Sequence, residues 1–169
     1  MGNKRVFFAL WPDDRQRDRL RDIITPVAKT VEGQAVDRRN WHITLAYVGD
    51  YPEDQVPELL ERAGRVQFEP FRLSFDRMEF RPRAKVAWLA AATVPPELEG
   101  LVADLHRILQ DVGVPPPDRT YRPHITLVRN ARTFTTERLA QRAVSEWSSF
   151  ELMESIRSAG RVTYRPLKQ

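Results

Sequence analysis

The chain contains no cysteine, which excludes disulfides, thiolate metal sites and thiol nucleophiles. It has no Gly-rich phosphate loop, so ATP use is not expected, and no Gly-x-Ser-x-Gly elbow of a serine hydrolase. No apolar run approaches the length of a membrane span. The first residues, Met1-Gly2-Asn3-Lys4-Arg5, run straight into Val6-Phe7-Phe8-Ala9-Leu10; this is no signal peptide, and Val6 stands where a myristoylation signal wants Ser or Thr. A cytoplasmic protein without membrane contact is expected. Lysine is scarce, since 23 of the 27 basic residues are arginine. The net charge of +4 and pI near 9.7 favour an anionic partner, although a proteome-wide preference for arginine gives the same composition. Histidine is scarce too, with three in 169 residues.

Two of those three sit in an identical tetrapeptide, His42-Ile43-Thr44-Leu45 and His124-Ile125-Thr126-Leu127. Both copies lie in short runs rich in β-branched residues, Trp41 to Val48 and His124 to Val128, so each reads as a strand. Side chains alternate faces along a strand, so His and Thr of each copy point one way while Ile and Leu anchor the other. The copies start close to half a chain length apart, the spacing of a duplicated structural unit.

Read in order, Val6 to Trp11 is a continuous apolar strand buried on both faces. Asp13 is placed to cap a helix whose apolar stripe is Leu20, Ile23, Ile24, Val27 and Val31, with Pro26 kinking or shortening it. Residues 33–40 form a polar connector, the first motif strand ends at Gly49-Asp50, and Val56, Leu59, Leu60 and Ala63 mark a short helix. Phe71, Leu73 and Phe75 alternate with polar residues in a half-buried strand, and residues 85–92 are its hairpin partner. The tip between them, 79–85, is basic: a solvated turn in one reading, a rim meeting nucleic-acid phosphates in the other. Leu98, Leu101, Val102, Leu105, Ile108 and Leu109 make the clearest helix, ending near Gly113, with His106 off the stripe at the surface. Pro115-Pro116-Pro117 leads into the second motif strand, which continues to Arg129; a short helix over 137–144 and strands over 150–156 and 161–167 complete the chain. Helices interleave with strands but not strictly. The fold class is therefore α+β with antiparallel or mixed sheets: a single domain over 1–169 in two lobes related by a pseudo-twofold, the motif strands side by side or facing at a groove.

Histidine titrates near neutrality, so two imidazoles across a groove can hold complementary states, one neutral as general base and one protonated as general acid. Such a pair gives a bell-shaped pH-rate curve. The hydroxyls of Thr44 and Thr126 can donate to phosphate oxygens between the imidazoles. Arg129 has the parity of Leu127 and joins the His face only through a bulge or twist; there it would neutralise a phosphate in the transition state. Neither motif supplies further metal ligands at a ligating offset, so neither a metal nor a cofactor is expected. The inventory suits acid-base chemistry on a phosphodiester, or a groove that only binds a nucleotide or RNA end.

With both motifs placed, the chain resembles the 2H phosphoesterase superfamily, specifically its bacterial and archaeal RNA 2′,3′-cyclic phosphodiesterase branch, historically called 2′-5′ RNA ligase. The two His-x-Thr-x copies carry the resemblance, together with Arg5 to Leu10, Trp41, Val86-Ala87-Trp88-Leu89, Tyr121-Arg122-Pro123, Ser155, Gly160 and Tyr164. It implies a bilobal fold with sheets lining a central groove and helices outside. It implies hydrolysis of terminal 2′,3′-cyclic phosphates to 2′-phosphates, with weak 2′-5′ joining. Partners would be RNA ends, tRNA fragments among them, or cyclic nucleotides, acted on by a monomer. By this likeness His42 would protonate the departing 3′ oxygen and His124 would activate water. Thr44, Thr126 and Arg129 would hold the phosphate, and Phe8 or Tyr121 would stack on a base.

Overall fold

The run Val6 to Leu10 is buried on both faces and forms the inner half of strand β1 (Asn3–Leu10) in the computed structural model, which describes residues 2–168. Helix α1 (Asp14–Ala28) follows at once. Asp13 caps it reciprocally with Gln16: the Gln16 amide donates to the Asp13 carboxylate at 2.7 Å, and the Asp13 amide donates to Gln16 Oε1 at 2.9 Å. Pro26 has no amide hydrogen to donate, and the helix stops two residues later. The first motif lies at the start of strand β3 (Ile43–Pro52), after a two-residue strand β2 (Gln34–Ala35). The remaining elements are α2 (Val56–Gly64), β4 (Phe71–Arg81), β5 (Val86–Ala90), α3 (Pro96–Asp111), β6 (His124–Arg129), β7 (Glu137–Trp147), β8 (Glu151–Ser158) and β9 (Arg161–Leu167).

The strands form two antiparallel sheets, one ordered β3-β1-β8-β9 and the other β2-β6-β5-β4-β7. Each lobe repeats one unit: strand, helix, motif strand, with the motif strand paired antiparallel to the first. In one lobe the unit is β1-α1-β3, in the other β5-α3-β6. The helices cross over. Helix α3 packs on β3, and α1 packs on β6 and β7, so each covers the sheet of the opposite lobe. One core results, drawing Phe8, Leu10 and Ile43 from one sheet and Leu73, Phe75, Leu89 and Ile125 from the other.

Three expectations change. Residues 137–144 are strand, not helix: Ala143, Ser145 and Trp147 are buried at a two-residue period against Phe71 to Phe75 of β4. The helix-favouring Glu137, Arg138, Leu139 and Ala140 are overruled by the edge of β4, whose backbone groups need a partner. The connector 33–40 supplies β2, whose Gln34 and Ala35 pair with Arg129 and Val128. His106 is half-buried on α3 rather than at the surface.

Candidate active site

His42 stands immediately before β3 and His124 opens β6, one from each sheet, and both line a cavity of about 220 Å³ with Thr44, Thr126 and Arg129. The two rings are held by the same device. His42 Nδ1 lies 2.8 Å from the carbonyl oxygen of Asn40, and His124 Nδ1 lies 2.8 Å from that of Arg122, each two residues upstream. A carbonyl oxygen only accepts, so Nδ1 carries the hydrogen in both rings. Nε2 is then the atom free to take or give a proton.

The leucine of each tetrapeptide is a bulge. Along β3, Thr44 and Ala46 oppose consecutive residues Ala9 and Phe8 of β1, leaving Leu45 extra; along β6, Thr126 and Val128 oppose Trp88 and Ala87 of β5, leaving Leu127 extra. The extra residue inverts the alternation beyond it. Arg129 is thereby turned onto the face of His124 and lines the cavity. Its counterpart, also five residues after its histidine, is Tyr47, which is 52% exposed on the opposite wall. The Tyr47 hydroxyl accepts from Arg5 Nε at 2.7 Å, so this wall too carries a guanidinium.

Surroundings distinguish the two imidazoles. His42 sits among rings, stacked on Trp11 at 5.1 Å and flanked by Phe7 and Tyr164, each at 5.2 Å. Burial pushes its pKa down to about 4, with the charges of Arg129 and His124 adding to the depression against the hydrogen bond to Asn40. His124 stacks on Trp88 at 3.8 Å, and the guanidinium of Arg81 lies 4.7 Å from the Trp88 ring centre. Burial lowers its pKa as well, opposed by the bond to the Arg122 carbonyl and reinforced by Arg119, Arg122 and Arg81. Glu79 fixes this side: it accepts from Trp88 Nε1 at 3.2 Å, Arg77 Nε at 2.8 Å and an Arg122 amino group at 2.9 Å. Burial works against the Glu79 charge, but these donors outweigh it and hold the carboxyl below its usual range. The two histidines are therefore half-buried among rings rather than open to solvent.

The aromatic expectations are corrected. Phe8 is fully buried in the common core against Phe150 and cannot stack on a ligand; its neighbour Phe7, on the other face of β1, lines the cavity. Tyr121 is no stacking platform either. Its hydroxyl donates to the Thr44 carbonyl at 2.9 Å, tying the approach to the second motif onto the first motif strand, and burial raises its pKa. Nothing in the sequence singles out Phe7 or Trp11 for the site, whereas Tyr47 occupies the same offset from its motif as Arg129.

An imidazole and a hydroxyl from each of two facing lobes line one cavity with a guanidinium, the arrangement of a two-histidine phosphoesterase. The family model of the 2′-5′ RNA ligase superfamily matches residues 12–154, and the chain belongs to that superfamily. The RNA 2′,3′-cyclic phosphodiesterase of Escherichia coli is 29% identical over 170 residues, covering 98% of this chain and 95% of that one. That of Aeropyrum pernix is 32% identical over 114 residues, covering 66% of this chain and 64% of its own length, just under two thirds. The crystal structure of E. coli LigT in apo form superposes with a TM-score of 0.87 at 30% identity, covering 99% of this chain and 96% of that one. The LigT complex with 3′-AMP gives the same TM-score and identity over 98% of this chain and 96% of LigT.

Proposed function

We propose that this protein is an RNA 2′,3′-cyclic phosphodiesterase that opens terminal cyclic phosphates, those of tRNA fragments included, and works as a cytoplasmic monomer. The observation that carries the reading is the pairing of two imidazoles, each with Nδ1 engaged by a backbone carbonyl and Nε2 free, on one cavity with two threonine hydroxyls and Arg129. The cyclic phosphate sits between the rings. Thr44, Thr126 and Arg129 hold its non-bridging oxygens, and the guanidinium balances the charge that builds on them at pentacoordinate phosphorus. Neutral His124 Nε2 takes a proton from water as the water oxygen bonds to phosphorus. Protonated His42 Nε2 gives its proton to the 3′ oxygen as the bond from phosphorus to that oxygen breaks, leaving a 2′-phosphate and a 3′ hydroxyl. With an RNA 5′ hydroxyl in place of water, the same groups support weak 2′-5′ joining. His124 takes the 5′ hydroxyl proton as that oxygen bonds to phosphorus, and His42 gives a proton to the 3′ oxygen as its bond to phosphorus breaks, leaving the phosphate bridging the 2′ and 5′ oxygens.

The test is turnover of a nucleoside 2′,3′-cyclic monophosphate and of a short RNA with a cyclic end, in EDTA without ATP, by the parent and by His42→Ala and His124→Ala. Opening to a 2′-phosphate, lost in both folded variants, is the expected result. A folded parent that turns over neither substrate makes the groove a binding module or an enzyme for another phosphodiester.

A further inference from the structure

The regions on either side of the two-histidine cavity differ in charge. Past Asn40 and Tyr164, which it shares with the site, lies a larger cavity of about 1040 Å³. Its carboxylates, Asp13, Asp37 and Glu151, outnumber its cations, Arg39 and Arg161, and Arg39 is already bonded to Asp37 at 3.0 Å. On the other side stands the wall behind His124. Arg81 is stacked on Trp88, which stacks on His124, and Arg122 lends His124 its carbonyl. Arg119 stands in the same loop, three residues before Arg122, and its charge adds to the lowering of the His124 pKa. Arg83 and Lys85 extend this wall along the turn between β4 and β5. The Lys85 carbonyl accepts from the Ala131 amide at 2.8 Å, which brings the turn beside the end of β6, where Arg129 faces the site. Glu79 is the carboxylate set into this wall, and it is taken up by Arg77 and Arg122. Arg83, Lys85 and Arg119 are exposed, and among the described residues they make no ion pair.

A single strand of RNA carries one phosphate per nucleotide, and every phosphate that meets a cation releases a counterion. A wall where acids outnumber bases repels such a chain, whereas cations spaced along a turn and a loop attract it. We propose that the single-stranded RNA 5′ of the reacting phosphate runs over the basic rim of Arg81, Arg83, Lys85, Arg119 and Arg122, away from the larger, acid-walled cavity. The nature of the polymer rests on the phosphodiesterase reading; the position of the track rests on the distribution of charge.

The test is binding of a fluorescent single-stranded RNA of about twelve nucleotides ending in a 2′-phosphate, followed by anisotropy across a range of KCl concentrations. The triple variant Arg83→Gln, Lys85→Gln, Arg119→Gln changes only exposed side chains, and its melting temperature checks that the fold is kept. Losing three phosphate contacts, each worth about 0.7 in the salt slope, should flatten log Kd against log [KCl] by about 2 and weaken low-salt binding tenfold or more. Arg161→Gln, in the larger cavity, should leave slope and affinity unchanged. A triple variant with the parental slope, a loss seen with Arg161→Gln instead, or a parent that does not bind the RNA overturns the rim. A parent that binds with the expected slope but opens neither a cyclic mononucleotide nor a short RNA with a cyclic end supports the rim and refutes the phosphodiesterase reading.

Discussion

Replacing His42 with asparagine should abolish turnover and yet make the protein more resistant to mild acid. In the unfolded chain this imidazole takes a proton near pH 6.5; in the folded protein, pressed among Trp11, Phe7 and Tyr164, it refuses one until about pH 4. Between those values the unfolded state binds more protons, so the stability of the parent falls as the pH falls through that window. At pH 5 the difference between the two titrations amounts to about 2 kcal/mol, growing to about 3 kcal/mol below pH 4. Against a typical total of about 5 to 15 kcal/mol this is a readable fraction. Asparagine keeps an amide donor for the Asn40 carbonyl and carries no titrating group, so the variant lacks this acid-side loss. Urea unfolding of both proteins at about pH 7.5 and pH 5 measures it, as the change in the parent minus the change in the variant. Equal losses in the two would mean that His42 protonates as it does in water, and that the aromatic packing does not dry its site.

The same depression bears on catalysis. Both imidazole pKa values lie below the ordinary 6.5, so kcat/KM, which reports the free enzyme with one ring protonated and one neutral, should peak on the acid side of that value. The anionic substrate raises both values, so kcat should peak at higher pH; a kcat/KM maximum above neutrality would refute the assignment. Glu79→Gln removes the charge that gathers Arg77, Arg122 and the Trp88 indole. It should cost about 1 to 3 kcal/mol in stability and shift the His124 limb of the pH profile further to acid, because the freed guanidiniums oppose a proton on that ring. An unmoved limb would confine Glu79 to a structural role.

How much of the fold and the site can be read from the amino acids depends on what each feature writes into them. A strand's two-residue period is spelled out within His-Ile-Thr-Leu, so the shared face of His42 with Thr44, and of His124 with Thr126, is legible in the residues alone. The α+β class is legible in the loose interleaving of helical and strand patterns, and the two lobes in the spacing of the copies. A bulge leaves no such signature. That Leu45 and Leu127 are the extra residues, and that Tyr47 and Arg129 are turned inward as a result, appears only in the pairing with β1 and β5. Phe8 and Phe7 cannot be told apart because a strand buried on both faces has no polar alternation to say which side meets the groove. Residues 137–147 carry helix formers, and only the unpaired edge of β4 makes them a strand. Tyr121 is expected to stack on a base, and only the packing of one lobe against the other shows the Thr44 carbonyl within reach of its hydroxyl.

The two copies are alike inside the tetrapeptide and unlike outside it, and the chemistry needs both facts. On the proposed mechanism, identity supplies two equivalent proton carriers: the same bond from Nδ1 to the carbonyl two residues upstream leaves Nε2 free on either side. A symmetric pair, however, would have no reason to hold one proton on a particular ring. The surroundings break the tie. His42 is dried by three aromatic rings and feels Arg129, whereas His124 leans on one indole and feels Arg119, Arg122 and Arg81. A bound phosphate anion would relieve the Arg129 charge at His42, and RNA phosphates on the proposed rim would relieve the cations behind His124. Substrate would therefore act on both rings, from opposite sides. On the proposed mechanism the reacting phosphate raises the pKa of His42 and the rest of the RNA raises that of His124, so longer substrates should move the pH optimum without changing which side chains carry the proton.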